Sequence, residues 1–163
     1  MPAAHAPDIA AVVSVAAPRN GERWLDVGTG HGRLAIALAE AAQGAAIVGV
    51  DPFVDADPRA AASAAATAGV GDRVSFDRGE LLALPFADHT FDGVVCHLLA
   101  GRVDPEDRTH LICEMHRVLA AGGRLVVSDA DGTQEDAART LADLGYADVV
   151  ADGMILAARR PPG

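Results

Sequence analysis

Lysine is missing altogether: all thirteen basic residues of this 163-residue chain are arginine, against 23 acids and a formal charge of −10. A surface this acidic repels phosphate backbones and argues against a nucleic-acid substrate, although a local arginine patch could override it. Aromatic residues make up only 4% of the chain, too few for a generous stacking pocket. The two cysteines, Cys96 and Cys113, form no close-spaced pair, so neither a disulfide scaffold nor a cysteine zinc site is expected. No apolar run approaches the roughly 20 residues that span a bilayer. Residues 1–8 carry neither a cationic n-region nor a signal-peptide core, so the expected location is cytoplasmic and no membrane partner is expected.

Half of the residues are hydrophobic, enough to build one core, and residues 1–163 read as one domain. Strand-like and helix-like segments alternate along the chain. Asp8 caps a first helix through Ala17, which Pro18 and Gly21 end. Short apolar runs at 24–27, 46–50, 74–77, 92–97 and 124–128 read as buried strands. Between them lie a helix of Leu34, Ala35, Leu38 and Ala42 ended by Gly44, and an alanine-rich helix from Asp57-Pro58 to about Ala68. A third opens at Asp104-Pro105, carries the stripe Leu111, Ile112, Met115, Val118 and Leu119, and is ended by Gly122-Gly123. After a helix at 133–144, runs at 147–150 and 154–158 are joined only by Ala151-Asp152-Gly153. So short a link forces an antiparallel hairpin, because a parallel crossover needs a dozen or more residues. The expectation is a doubly wound, Rossmann-like α/β sheet of seven strands, mostly parallel, with one reversed strand in the C-terminal hairpin.

The first strand runs into Asp26-Val27-Gly28-Thr29-Gly30-His31-Gly32, and a helix follows at once. Glycines here let the backbone turn sharply and pass close beneath a ligand at the strand's carboxyl end. Asp51 ends the second strand, 23 residues after Gly28, where a carboxylate suits a ribose diol. Dinucleotide-binding loops use G-x-G-x-x-G, whereas the spacing here is G-x-G-x-G with an acid two residues before the first glycine. That spacing favours S-adenosylmethionine, whose amino acid end an acid beneath the loop can hold, over a nicotinamide cofactor.

With these residues in hand, the chain resembles the class I methyltransferases, in particular the ubiquinone and menaquinone biosynthesis branch. Four segments carry the resemblance: Trp24 to Gly32, Val48 to Pro52, Gly79 to Val95 and Glu114 to Val127. It covers nearly the whole chain. The resemblance implies S-adenosylmethionine as cofactor, with Gly28, Thr29 and Gly30 under its methionine part and Asp26 near its amino group. It places Asp51 on the ribose, Pro52 and Phe53 along the adenine, and Gly79, Glu80 and Leu81 at the adenine edge. His97 falls where the family brings cofactor and acceptor together, while Phe86 and Phe91 read as packing residues.

Methyl transfer needs alignment more than a catalytic residue. Alignment alone can contribute roughly 7–11 kcal/mol, against about 10²–10⁴-fold for a base. His97 is the candidate base, since it ends a strand at the cofactor edge and titrates near neutrality. His31, inside the loop, reads as a spectator or a cofactor-side residue and not as a proton acceptor, and Asp129 is a weaker alternative. His110 and His116 lie six apart, not the three or four that gathers ligands, so they read as solvated and no metal site is expected. His5 and His89 have no evident partner.

Relatives usually cover the acceptor site with extra helices, and here little chain is left for them. The expectation is an open site for a small-molecule acceptor, completed by a second subunit or partner, filled by a large substrate, or no longer catalytic. A cofactor-binding module that supports a partner enzyme is the alternative function, and a nicotinamide oxidoreductase a further one.

Overall fold

The computed structural model describes residues 7–99, 102–129 and 134–163. Its elements follow in chain order: α1 (Ile9–Ala16), β1 (Arg23–Val27), α2 (Arg33–Ala41), β2 (Ala46–Asp51), α3 (Pro58–Thr67), β3 (Val74–Arg78) and β4 (Phe91–His97). A short 3₁₀ turn (Pro105–Asp107) then leads into α4 (Arg108–Val118), β5 (Leu119–Ser128), α5 (Gln134–Asp143), β6 (Val149–Asp152) and β7 (Ile155–Arg159).

All seven strands join one sheet in the order β3-β2-β1-β4-β5-β7-β6. The first five are parallel, and β7 runs antiparallel to both β5 and β6. Strand order reverses between β1 and β4, so a crevice opens beyond their carboxyl ends, where ligands bind in open α/β sheets.

Both faces of the sheet are covered, which is why the strands read as continuous apolar runs. Alternation sends Leu25, Val27, Val94, Cys96, Leu125 and Val127 into one core with Leu111, Met115 and Leu141. It sends Trp24, Val95 and Val126 into the other, with Val12, Leu34 and Leu38. Trp24 is fully buried, and a Cβ on its β4 neighbour Gly93 would run into the indole.

Caps follow the sequence signals. Asp8 accepts from the Ala11 N–H at 2.7 Å, and Asp57 accepts from the Arg59 N–H at 2.9 Å with Pro58 in the first turn. Arg124 donates from Nε to the Ala16 carbonyl and from Nη2 to that of Ala17, tying the end of α1 to β5.

Three boundaries differ from the sequence reading. Gly122-Gly123 does not end α4: Leu119 is already extended, and β5 runs through both glycines. Gly122 takes a left-handed φ of 74° there, and the register against β4 slips between Phe91 and Gly93, so the glycines mark an irregularity inside a strand. The hairpin turns later than expected, at Gly153-Met154, because Ala151 and Asp152 pair with Leu156 and Ile155 and Gly153 supplies the left-handed φ of 59°. Asp104-Pro105 opens the 3₁₀ turn, with α4 proper starting at Arg108. Among the described residues no helix is long and apolar enough to cross a membrane, and no cluster of His, Cys, Asp or Glu could hold a metal.

Candidate functional site

Gly28, Gly30 and Gly32 all have left-handed φ angles, of 74°, 55° and 82°. The turn they form is docked onto the end of β2: the N–H groups of Gly28 and Thr29 both donate to the Val50 carbonyl, at 2.8 and 3.1 Å. Gly49 leaves room for Thr29, since a Cβ there would collide with the threonine side chain, and Gly32 likewise leaves room for the Phe76 ring.

Asp26, fully buried beneath the turn, accepts a hydrogen bond from Thr29 Oγ1 at 2.8 Å. Burial pushes its carboxyl up to about 7. The Thr29 hydroxyl, the Arg102 charge and a backbone hydrogen bond from Ala35 pull the other way without overcoming it. Asp51 does two jobs: its Oδ2 accepts from the Gly30 N–H at 2.9 Å and its Oδ1 from the Phe53 N–H at 2.8 Å. The carboxylate that ends β2 thereby buttresses the turn that follows β1.

These groups converge on one cavity of about 450 Å³, a size usual for small-ligand sites. Of the positions singled out in the sequence, Asp26, Gly28, Thr29, Gly30, Asp51, Pro52, Leu81 and His97 line it. Phe53, Gly79 and Glu80 are not among the lining residues. Phe53 is buried in a left-handed conformation with its ring beneath the Arg78 guanidinium. Gly79 donates to the Asp51 carbonyl, and Glu80 is exposed where it pairs with Ala83. Among the described residues no Phe, Tyr or Trp lines the cavity, in keeping with the low aromatic content.

On the far side, His97 ends β4 with Nδ1 2.6 Å from Ser128 Oγ, at the end of β5. Burial, then the nearby Arg102 charge, lowers the His97 pKa below its usual 6.5, with Asp129 opposing. Leu98, which follows it and also lines the cavity, has a strained left-handed φ of 60°.

A glycine turn thus lies over one buried acid and beside a second that ends the next strand. A family model described as a methyltransferase domain matches residues 25–123. The chain belongs to the class I S-adenosylmethionine-dependent methyltransferases. It is 40% identical to a demethylmenaquinone methyltransferase of Thermus thermophilus over 115 residues, covering 71% of this chain and 50% of that protein. It is 36% identical to a 27-O-demethylrifamycin SV methyltransferase of Amycolatopsis mediterranei over 111 residues, 68% of this chain and 39% of that protein. The chain thus spans half or less of these curated relatives. A solved S-adenosylmethionine-dependent methyltransferase from Aquifex aeolicus superposes with a TM-score of 0.72 at 19% identity, covering 93% of this chain and 88% of that one; this likeness shows the fold.

Membership in the methyltransferases implies S-adenosylmethionine as cofactor, and the cavity suits it. Glycines give the backbone a surface for close approach, and the acids Asp26 and Asp51 offer acceptors for an ammonium and a diol.

The family's Glu114 and Arg117, noted in the sequence only as marks of resemblance, have a visible task. Glu114 Oε2 accepts from the Leu84 N–H at 2.8 Å, while Arg117 donates to the carbonyls of Leu84 and Phe86 and to Asp88. Together they latch the loop that presents Leu81. Phe86 and Phe91 meet edge to face at 5.1 Å, away from the cavity lining.

Two histidines differ from expectation. His116 is half-buried against Tyr146, its Nδ1 2.9 Å from the phenol oxygen, because the connection that follows α5 packs this ring onto α4. His89 does have a partner, Arg160 Nη2 at 3.0 Å. His31 is exposed at the cavity rim, His110 is exposed, and His5 lies outside the described residues. Arg102, which lines the cavity, was missed, since a lone arginine in a connecting segment carries no sequence signal.

Proposed function

We propose that this chain binds S-adenosylmethionine across the glycine turn and transfers its methyl group to a small-molecule acceptor. The observation that carries this reading is the convergence of the turn, Asp26, Asp51 and His97 on one cavity. Asp26 holds the ammonium, Asp51 the ribose hydroxyls, and Pro52 and Leu81 flank the base. The cofactor, when bound, supplies a methyl carbon already activated by a cationic sulfur. The protein aligns the acceptor with it. The relatives are named for methylating demethylmenaquinone and 27-O-demethylrifamycin SV, which supports a small organic acceptor here.

His97 takes the acceptor's proton. In the tautomer whose Nδ1–H donates to Ser128 Oγ, Nε2 keeps the lone pair a base needs. Burial and the Arg102 charge lower the His97 pKa and so favour the neutral ring that a base requires.

Titration calorimetry tests the binding claim. S-adenosylhomocysteine should bind the wild-type chain, and Asp51→Ala should weaken it about 100-fold, as for losing hydrogen bonds to a charged group. No heat with the wild type, or full affinity in the variant, would sink the cofactor placement. For catalysis, kcat/KM with an acceptor should rise with pH through an apparent pKa below 6.5 and then level off. His97→Ala should abolish that limb and lower the rate at least about 10²-fold. An unchanged profile would leave alignment as the mechanism.

A further inference from the structure

Arg102 occupies a place that the cofactor reading leaves unexplained. Its side chain lies along the glycine turn: a Cβ on Gly28 would stand 2.8 Å from Arg102 Cδ and 3.0 Å from Nε, and one on Gly30 would stand 3.8 Å from Nη1. A side chain at 28 would collide with the arginine in this placement, while one at 30 would meet it in ordinary contact. Nε donates to the His97 carbonyl at 3.3 Å, which fixes the near edge of the fork. Among the described residues, Nη1 and Nη2 make no hydrogen bond and no ion pair at contact distance, although Asp26, Asp51 and Asp55 line the same cavity. The charge is nevertheless felt there, since Arg102 acts on both Asp26 and His97.

We infer that Arg102 is the residue that takes the carboxylate of the cofactor's amino acid end; this rests on the cofactor reading above. An amino acid end is a zwitterion, and the turn is faced by one buried carboxyl, Asp26, and one arginine fork, Arg102. The ammonium suits the carboxyl and favours its ionised form. The fork suits the carboxylate, which accepts two parallel N–H bonds from a guanidinium and only point-charge contact from an ammonium. Arg33 also lines the cavity but sits exposed at the start of α2, where solvent screens it. Arg102 therefore discriminates between ligands that carry an amino acid end and nucleosides that lack one.

Calorimetry on the intact chain with two probes tests this. S-adenosylhomocysteine carries the amino acid end, and 5′-methylthioadenosine keeps the nucleoside and thioether without it. Arg102→Ala should weaken S-adenosylhomocysteine about ten- to hundredfold and leave 5′-methylthioadenosine within about twofold of wild type. Arg102→Lys should recover only part of the loss. Equal weakening of both probes would assign Arg102 to shaping the turn and overturn the inference. Tightening of both would make Arg102 an occluding side chain and overturn it equally, as would unchanged affinity for S-adenosylhomocysteine. If wild type binds neither probe, the cofactor reading falls and takes this inference with it; if wild type binds both and the variant does not discriminate, only the inference falls.

Discussion

Asp26→Asn should stabilise the ligand-free protein by on the order of 4 kcal/mol above pH 7, with the gain shrinking toward zero below pH 4. The carboxyl moves from its ordinary 3.8 to about 7 in the folded chain, and that difference converts to about 4 kcal/mol. The sign follows from proton counting. Between those two values the folded state holds a proton that the unfolded state has released, so wild-type stability falls as pH rises through this window and is flat above it. Asparagine has no charge to desolvate, and its side-chain oxygen still accepts from Thr29 Oγ1. Urea unfolding of both proteins at pH 5 and pH 8 measures the effect, which should be clearly larger at pH 8. Equal stabilities at pH 8, or a gap independent of pH, would contradict it. The same substitution should weaken S-adenosylhomocysteine tenfold or more, because the ammonium loses its anion. A position that costs stability and supplies binding is what a functional site built from a buried charge entails.

Trp24→Ala should cost about 3–5 kcal/mol, the range for truncating a large buried aromatic. The indole is fully buried beside Gly93, its Nε1 donates to Glu22 at 2.7 Å, and the Arg124 guanidinium lies 5.3 Å from the ring centre. Losing it opens a cavity on the α1–α2 side of the sheet and removes a partner of the Glu22–Arg124 ion pair. Thermal unfolding should drop by roughly 6–20 °C for a chain of this size. A shift of a degree or two would mean that the face collapses to fill the gap, and that Trp24 does not anchor it.

The strand and helix alternation was legible because glycine, proline and aspartate punctuate it. Asp57-Pro58 opens α3 as read, and the tight link near Gly153 forces the hairpin. The glycine turn and Asp51 were legible for a related reason: their chemistry depends on backbone conformation and on spacing, both written in the chain. Where β5 begins was not legible. Leu119 continues the apolar stripe of α4 in sequence while adopting an extended backbone, and only pairing with Phe91 decides between them. Met154 read as the first residue of a strand, yet cross-strand register puts it in the turn. Arg102 was beyond sequence reasoning because its importance arises from two glycines more than seventy residues away. Phe53 and Glu80 are set by loop conformation, which residue type does not determine.

The two-handed grip of Asp51 has a mechanical consequence. One carboxylate pins Gly30 on one bank of the crevice and Phe53 on the other, so the banks cannot shift independently. Any molecule that draws that carboxylate toward itself pulls both banks at once, and that end of the crevice should answer ligand entry as a single rigid clasp.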